Sequence, residues 1–308
     1  MINKQKIREK AKEIGLSYCG FAKAVPLEEE EARYSEFIRQ EKHTTFGYLK
    51  KFLPQRLDPD FILPGVRTVI GLLLNYYPEA ILPEKDRFII SKYAYGKNYK
   101  IVVKDKLDRL VRFMKAECPD AKIRVFVDSG PVMEKRWAQK CGLGWQGKNT
   151  LLIHPAAGSF FFIGIILTDL EMEPDEPGTD RCGKCDLCVR ACPTGALYEP
   201  YRLDISRCIS YHTIETCHPV PDDLIPHFRN RIFGCDICQD VCPYNRFARP
   251  SGEPAFQLNP FIKTATRQDW MEMTEEKFNE TFVDSPLFRT GWAKIMDTIR
   301  SLSGKGTG

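Results

Sequence analysis

Cys182, Cys185, Cys188 and Cys192, the last followed by Pro193, spell CxxCxxCxxxCP, and Cys235, Cys238 and Cys242 before Pro243 repeat the shorter form CxxCxxxCP. Three thiolates at such intervals wrap one face of an iron-sulfur cubane, and the cysteine ahead of the proline is carried away to a second cubane. The spacing therefore predicts two 4Fe-4S clusters. The first takes Cys182, Cys185, Cys188 and Cys242. The second takes Cys192, Cys235, Cys238 and one further cysteine, either Cys208 or Cys217. CxxC pairs also suit tetrahedral zinc, but zinc sites seldom combine three cysteines at this interval with a cysteine-proline exchange between sites.

Nine of the twelve cysteines lie between Cys182 and Cys242. Such crowding in a reducing compartment points to metal or redox chemistry, whereas a secreted chain would use it for disulfides. Cys19, Cys118 and Cys141 stand apart and read as small buried hydrophobes. The N-terminus is charged with no apolar run behind it, which argues against a signal or transit peptide. The longest apolar run, Ser159 to Leu167, is too short for a membrane span of about 20 residues. A cytoplasmic monomer without a membrane partner is expected. Hydrophobic residues at 43% and charged residues at 28% exclude a disordered or fibrous chain. The net charge of +4 permits a nucleic-acid partner without requiring one.

The first 172 of the 308 residues alternate between helical and strand patterns, an α+β class built as an α/β layer domain. Helices are predicted around Ile7 to Ile14, from Glu28 to Gln40, along the stripe Val103, Leu107, Leu110, Val111 and Met114, and from Met133 to Lys140. Strands are predicted at Tyr18 to Ala22, Arg67 to Asn75, Ile123 to Val127, Thr150 to Ile153 and Ser159 to Thr168. Glu171 to Thr179 has the composition of a linker. Residues 173–250 form the inserted ferredoxin-like double-cluster domain, where ligation replaces periodicity. Residues 251–308 form a short helical C-terminus with helices at Glu275 to Phe282 and Trp292 to Leu302, ending in a glycine-rich frayed tail.

Gly142-Leu143-Gly144-Trp145-Gln146-Gly147 matches GxGxxG, and Lys148 nearly extends it to a P-loop. Both motifs need a strand before and a helix after, and the reverse order holds here. A glycine-rich turn that brings backbone close to a bulky ligand is the preferred reading, and close approach to another element is the alternative. Asp128 ends the strand Ile123 to Val127, where α/β folds place their sites, with Glu134 one turn into the next helix. It either caps that helix or donates a proton. Arg229, Arg231, Arg246 and Arg249 interleave with Phe228, Phe233, Tyr244 and Phe247, a mixture suited to phosphate contacts and base stacking on RNA as well as to a solvated surface.

Together these features resemble the epoxyqueuosine reductases, cobalamin-dependent enzymes of the last step of queuosine formation in tRNA. The matching stretches are Ile62-Leu63-Pro64-Gly65, Val127-Asp128-Ser129-Gly130-Pro131, the turn from Gly142 to Asn149, Gly158-Ser159-Phe160-Phe161-Phe162, Cys208-Ile209-Ser210-Tyr211 and Asn230-Arg231-Ile232-Phe233-Gly234-Cys235. The resemblance implies a cobalamin in the N-terminal domain close to one cluster, and Cys208 rather than Cys217 as the eighth ligand. It implies Asp128 as proton donor, and cobalamin contacts at Arg56, Tyr93, Trp145, Lys148 and Ser210. It also implies a tRNA carrying epoxyqueuosine as substrate, met by Arg229 and Arg231, and an external electron donor. His154 and His212 read as structural imidazoles rather than cobalt ligands. Many members continue into helical HEAT-like repeats, whereas this sequence ends at Gly308, so no contact made by such repeats is carried over. A corrinoid reductive dehalogenase would usually bear an export signal, and a ferredoxin-type electron carrier would leave the N-terminal domain unexplained.

Anaerobically purified protein should be brown, with iron and sulfide as its inorganic content. A colourless protein holding zinc would remove the cluster assignment.

Overall fold

The computed structural model describes residues 2–39 and 51–304. Helices α1 (Lys4–Glu13), α2 (Glu28–Arg39) and α3 (Leu53–Leu57) and strands β1 (Tyr18–Lys23), β2 (Thr68–Asn75) and β3 (Ile89–Ile90) open the chain. Then follow α4 (Tyr99–Glu117), β4 (Ile123–Phe126), α5 (Glu134–Lys140), β5 (Trp145–Gln146), β6 (Leu152–Ile153) and β7 (Phe161–Thr168). The expected end of α2 at Gln40 and the terminal residues beyond Gly304 lie outside the described residues.

Strands β1, β2, β7 and β4 form one antiparallel sheet in that order. Side chains alternate across a strand, and β2 uses both faces. Ile70, Leu72 and Leu74 join the core beneath α1 and α4, and Val69 and Leu73 join the core that includes Trp137 and Ala138 of α5. The nearly continuous apolar run of β2 is thus explained by helices on both sides. Two glycines set how closely the layers approach. A Cβ on Gly164 of β7 would meet Leu107 of α4 at 2.7 Å, and one on Gly20 of β1 would meet the Cys141 carbonyl oxygen at 1.9 Å.

The segment Glu171 to Thr179 is not the free linker that its composition predicts. The Asp175 carboxylate accepts bonds from Arg8 at 2.6 Å, from Lys4 at 2.5 Å and from the Phe21 amide at 2.8 Å, and Gly178 N donates to Gln139 O. The chain leaves the sheet stitched to its edge.

Beyond it come α6 (Leu187–Ala191), β8 (Leu197–Glu199), β9 (Arg202–Leu203), a π-helical turn at Tyr211–Glu215, β10 (Arg231–Phe233) and α7 (Ile237–Asp240). The C-terminal helices are α8 (Pro260–Thr264), α9 (Arg267–Met271), α10 (Glu275–Phe282), α11 (Pro286–Thr290) and α12 (Trp292–Leu302). Their core is completed from elsewhere: Phe88, Ile90, Ala94 and Tyr95, with Ile232 and Phe233, pack among Trp270, Phe278, Phe282, Leu287 and Ile299. The parallel pairing of β3 with β10 joins these segments. No helix among the described residues is long and apolar enough to cross a membrane.

Gly20→Ala should lower the denaturation midpoint more than Gly65→Ala. The first forces a methyl into backbone, an overpacking cost of about 1–3 kcal/mol. The second meets open space and bears only the strain of its positive φ.

Candidate active site and cluster ligands

The cysteines sort into two groups of four. Burial pushes the Cys242 thiol above its usual range and the sulfurs of Cys182 and Cys185 push it further, while Cys188 responds to Cys182 and Cys242 in the same way. Cys238 is pushed well up by burial and then by Cys235, Cys208 and Cys192. Cys217 is exposed and acts instead on Lys294. Of the two candidates left open by spacing, Cys208 and not Cys217 acts on Cys238 and Cys235. Backbone N–H groups are already aimed at the sulfurs: Ile237 at Cys235, Tyr244 and Asn245 at Cys242, and Ser210 and Tyr211 at Cys208. Such donors favour thiolates and the negative charge of a reduced cluster. Thiols within electrostatic reach of one another, with amide donors beside several of them, have the chemistry that a cubane needs at each group.

Several matched stretches hold the cysteine loops. Asn245 Oδ1 accepts from Ser159 N at 2.7 Å, and its Nδ2 donates to Gln239 O at 2.6 Å. A Cβ on Gly158 would stand 2.2 Å from Asn245 Oδ1, so the Gly158-Ser159 pair is a seat for the second cysteine stretch. Lys92 Nζ pairs with Asp240 at 2.7 Å, and Lys92 N donates to Asp236 Oδ2 at 2.8 Å, which fastens the loop carrying Cys235 and Cys238 to the segment after β3.

The glycine-rich turn corrects the ligand expectation. Gly144 at φ 139° would place a Cβ 2.1 Å from Ile153 O, and Gly142 at φ 74° would place one 2.7 Å from Glu176 O. The glycines admit neighbouring backbone rather than a bulky ligand. Their motif still touches the chemistry, because Trp145 Nε1 donates to Cys182 Sγ at 3.3 Å. Lys148 Nζ donates to Gly183 O at 2.6 Å and Cys185 O at 2.8 Å. Trp145 and Lys148, expected at the cofactor, spend their polar groups on the first sulfur group.

Asp128 follows β4 in the left-handed region at φ 45°, a conformation that costs a non-glycine residue about 1–3 kcal/mol. Three groups hold it. Tyr99 Oη donates to Asp128 Oδ2 at 2.5 Å, Lys100 Nζ lies 2.9 Å from the same oxygen, and Asp128 N donates to Glu134 Oε1 at 2.5 Å. Burial, and then the Asp128 charge, push Glu134 up to about 8. Lys135 next to it is solvent-reachable, yet the protein packed around it holds its ammonium below the usual range against the attraction of Asp128, Glu134 and Cys238. Tyr93 stands nearby, its ring 6.0 Å from that of Tyr99 and within reach of the charges of Asp128 and of Asp236 beside Cys235. Asp128, Glu134 and Cys238 all act on Lys135, so the Asp128 site lies within electrostatic reach of the second sulfur group.

Among the other expected contacts, Ser210 lies against Cys208, and Arg56 is buried in α3 with its guanidinium 5.8 Å from the Tyr34 ring. Arg229 is exposed at φ 49°. Arg231 is 4% exposed and donates to Glu84 Oε1 at 2.6 Å, so its guanidinium faces a carboxylate and not solvent. His212 bonds through Nε2 to Ser206 O at 2.6 Å, and His154 packs on Tyr18 with burial pushing it down to about 4. Both are structural. Sequence reasoning missed Tyr99, Lys100 and Lys135. Tyr99 and Lys100 open α4 far from Asp128 along the chain, where no local signal marks them.

Two family models match the chain: epoxyqueuosine reductase QueG over residues 56–129 and the 4Fe-4S double cluster binding domain over residues 181–245. The chain is 44% identical to the epoxyqueuosine reductase of Cyclobacterium marinum, covering 96% of this chain and 95% of that protein. Against the Escherichia coli enzyme the identity is 35%, with 96% and 79% covered. The structure is similar to an epoxyqueuosine reductase crystallised with an epoxyqueuosine-modified tyrosine tRNA stem loop, at a TM-score of 0.86 and 30% identity over 97% of this chain and 80% of that one. It is also similar to the Bacillus subtilis enzyme with its catalytic aspartate loop swung out of the active site, at a TM-score of 0.86 and 28% identity over 97% and 80%. With its double 4Fe-4S domain and these near-full-length relatives, the chain belongs to the epoxyqueuosine reductases, oxidoreductases of tRNA modification.

Proposed function

We propose that this protein reduces epoxyqueuosine to queuosine at the wobble position of tRNA, with two 4Fe-4S clusters feeding a cobalamin bound beside Asp128. The observation that carries the reading is the placement of a strained, triply held Asp128 within electrostatic reach of the second sulfur group. Cys182, Cys185, Cys188 and Cys242 hold one cluster, and Cys192, Cys208, Cys235 and Cys238 hold the other. Removing the epoxide oxygen as water consumes two electrons and two protons. Cobalamin, when bound, supplies a metal centre able to present to carbon the electrons that clusters deliver singly. The aromatic walls at Tyr93 and Tyr99 and the nearby Ser210 suit such a group, with Arg56 a further contact implied by the family.

The chain's own residues manage protons and orientation. Asp128 delivers a proton to the departing oxygen. Tyr99 and Lys100 fix the carboxyl through Oδ2, leaving Oδ1 to face the substrate. Glu134, pushed up to about 8, keeps a proton near neutral pH and is a local reserve for the second proton. The base must be unstacked from the anticodon loop to enter, the usual way that proteins read bases in RNA loops. Arg229 offers an exposed phosphate contact at the surface.

Asp128→Asn should retain both clusters and cobalamin binding while turnover falls by about 10²-fold or more, the usual contribution of a positioned acid. Unimpaired turnover would refute the role. Arg229→Ala should weaken tRNA-stem-loop binding and reduce its salt slope by about one unit. Arg231→Ala should lower the denaturation midpoint, because it removes a buried, paired guanidinium. Equal loss of RNA affinity in both, with stability kept, would reverse these assignments.

A further inference from the structure

We infer that the open face of the first sulfur group, around Cys185, is the docking surface for an acidic one-electron carrier protein, and that electrons enter there. The inference rests on the cluster assignment above.

The two sulfur groups differ in what surrounds them. In the second, Cys192, Cys208, Cys235 and Cys238 are all half-buried, Cys238 O accepts from Asn149 at 3.1 Å, and the Cys238 sulfur lies within electrostatic reach of Lys135. In the first, Cys185 is exposed, and the room of about 270 Å³ that Cys182, Cys185, Cys188 and Cys242 line is where a cluster would sit. Leu187 and Phe247, 40% and 37% exposed, flank that room at the surface.

The rim is positive. Arg181, Lys184 and Arg246 are exposed around the opening, and Lys148, whose Nζ binds two carbonyls of the loop, adds its charge. The carboxylates of the same loop are engaged internally. Asp180 accepts from the Cys182 amide at 2.7 Å and from the Tyr201 hydroxyl, and Asp186 pairs with Arg190 at 2.9 Å. An exposed cluster edge with a small apolar centre and a cationic ring suits brief docking. Apolar contact excludes water over the transfer path, and complementary charge speeds encounter without tight binding. Electron-transfer encounters use small interfaces of this kind. The carrier's charge must be negative to meet this rim. Each docking oxidises the carrier by one electron and reduces the first cluster by one. Two dockings supply the two electrons that leave, with two protons, in the water formed.

The test is stopped-flow reduction of the cluster-loaded enzyme by a reduced acidic flavodoxin, comparing wild type with the double variant Arg181→Glu, Lys184→Glu. Iron content and bleaching by dithionite report that clusters are present and reducible. The second-order rate constant with flavodoxin should fall about tenfold or more in the variant, and the wild type's decline with salt should vanish, while the extent of dithionite bleaching stays the same. A wild-type rate in the variant overturns the inference. So does loss of tRNA-stem-loop affinity with the flavodoxin rate retained, which would give this face to RNA. Absence of dithionite-reducible clusters in wild type would remove the cluster assignment itself.

Discussion

Each sulfur group draws its cysteines from both stretches. Cys242 comes back to Cys182, Cys185 and Cys188, and Cys192 goes forward to Cys235 and Cys238. Neither group can close until the two stretches lie side by side, and the rest of the molecule provides the surface on which they meet. Asn245 and Gln239 bond to Ser159, Asn149 bonds to Cys238, and Lys92 with Ser91 holds Asp236. The end of β7 and the segment after β3 thereby act as the two jaws of a clamp. The four-stranded sheet, buried on both faces, gives that clamp its rigidity.

The Asp128 loop shows the opposite economy. An unfavourable backbone conformation is held by three polar contacts, two of them from the first turn of α4. Burial, and then the Asp128 charge beside it, push Glu134 up to about 8. Strain of this kind persists only where surroundings over-determine it, and it gathers at sites that do chemistry.

Much of this was legible in the residues. The helices Glu275 to Phe282 and Trp292 to Leu302 fall where their apolar spacing put them, and the stripe from Val103 to Met114 lies on α4. The cysteine spacing encodes a three-dimensional constraint directly, and the sulfurs that act on Cys242 and Cys238 are among those it groups with them. What stayed hidden depends on partners distant in the chain. The strands β3 and β10, of two and three residues, have no periodicity of their own and exist only by pairing. Tyr99 meets Asp128 through space alone. Arg231 reads as an RNA-facing cation until Glu84 is seen beside it, and the glycines from Gly142 to Gly147 read as a ligand seat until Ile153 and Glu176 fill the room.

The joint between β3 and β10 ties one cysteine loop to the far end of the chain. The residues that follow β3 grip the loop of Cys235 and Cys238, and the same short strands supply Ile90, Ile232 and Phe233 to the core of the C-terminal helices. A change that shifts that loop therefore reaches the packing of helices remote from it in sequence.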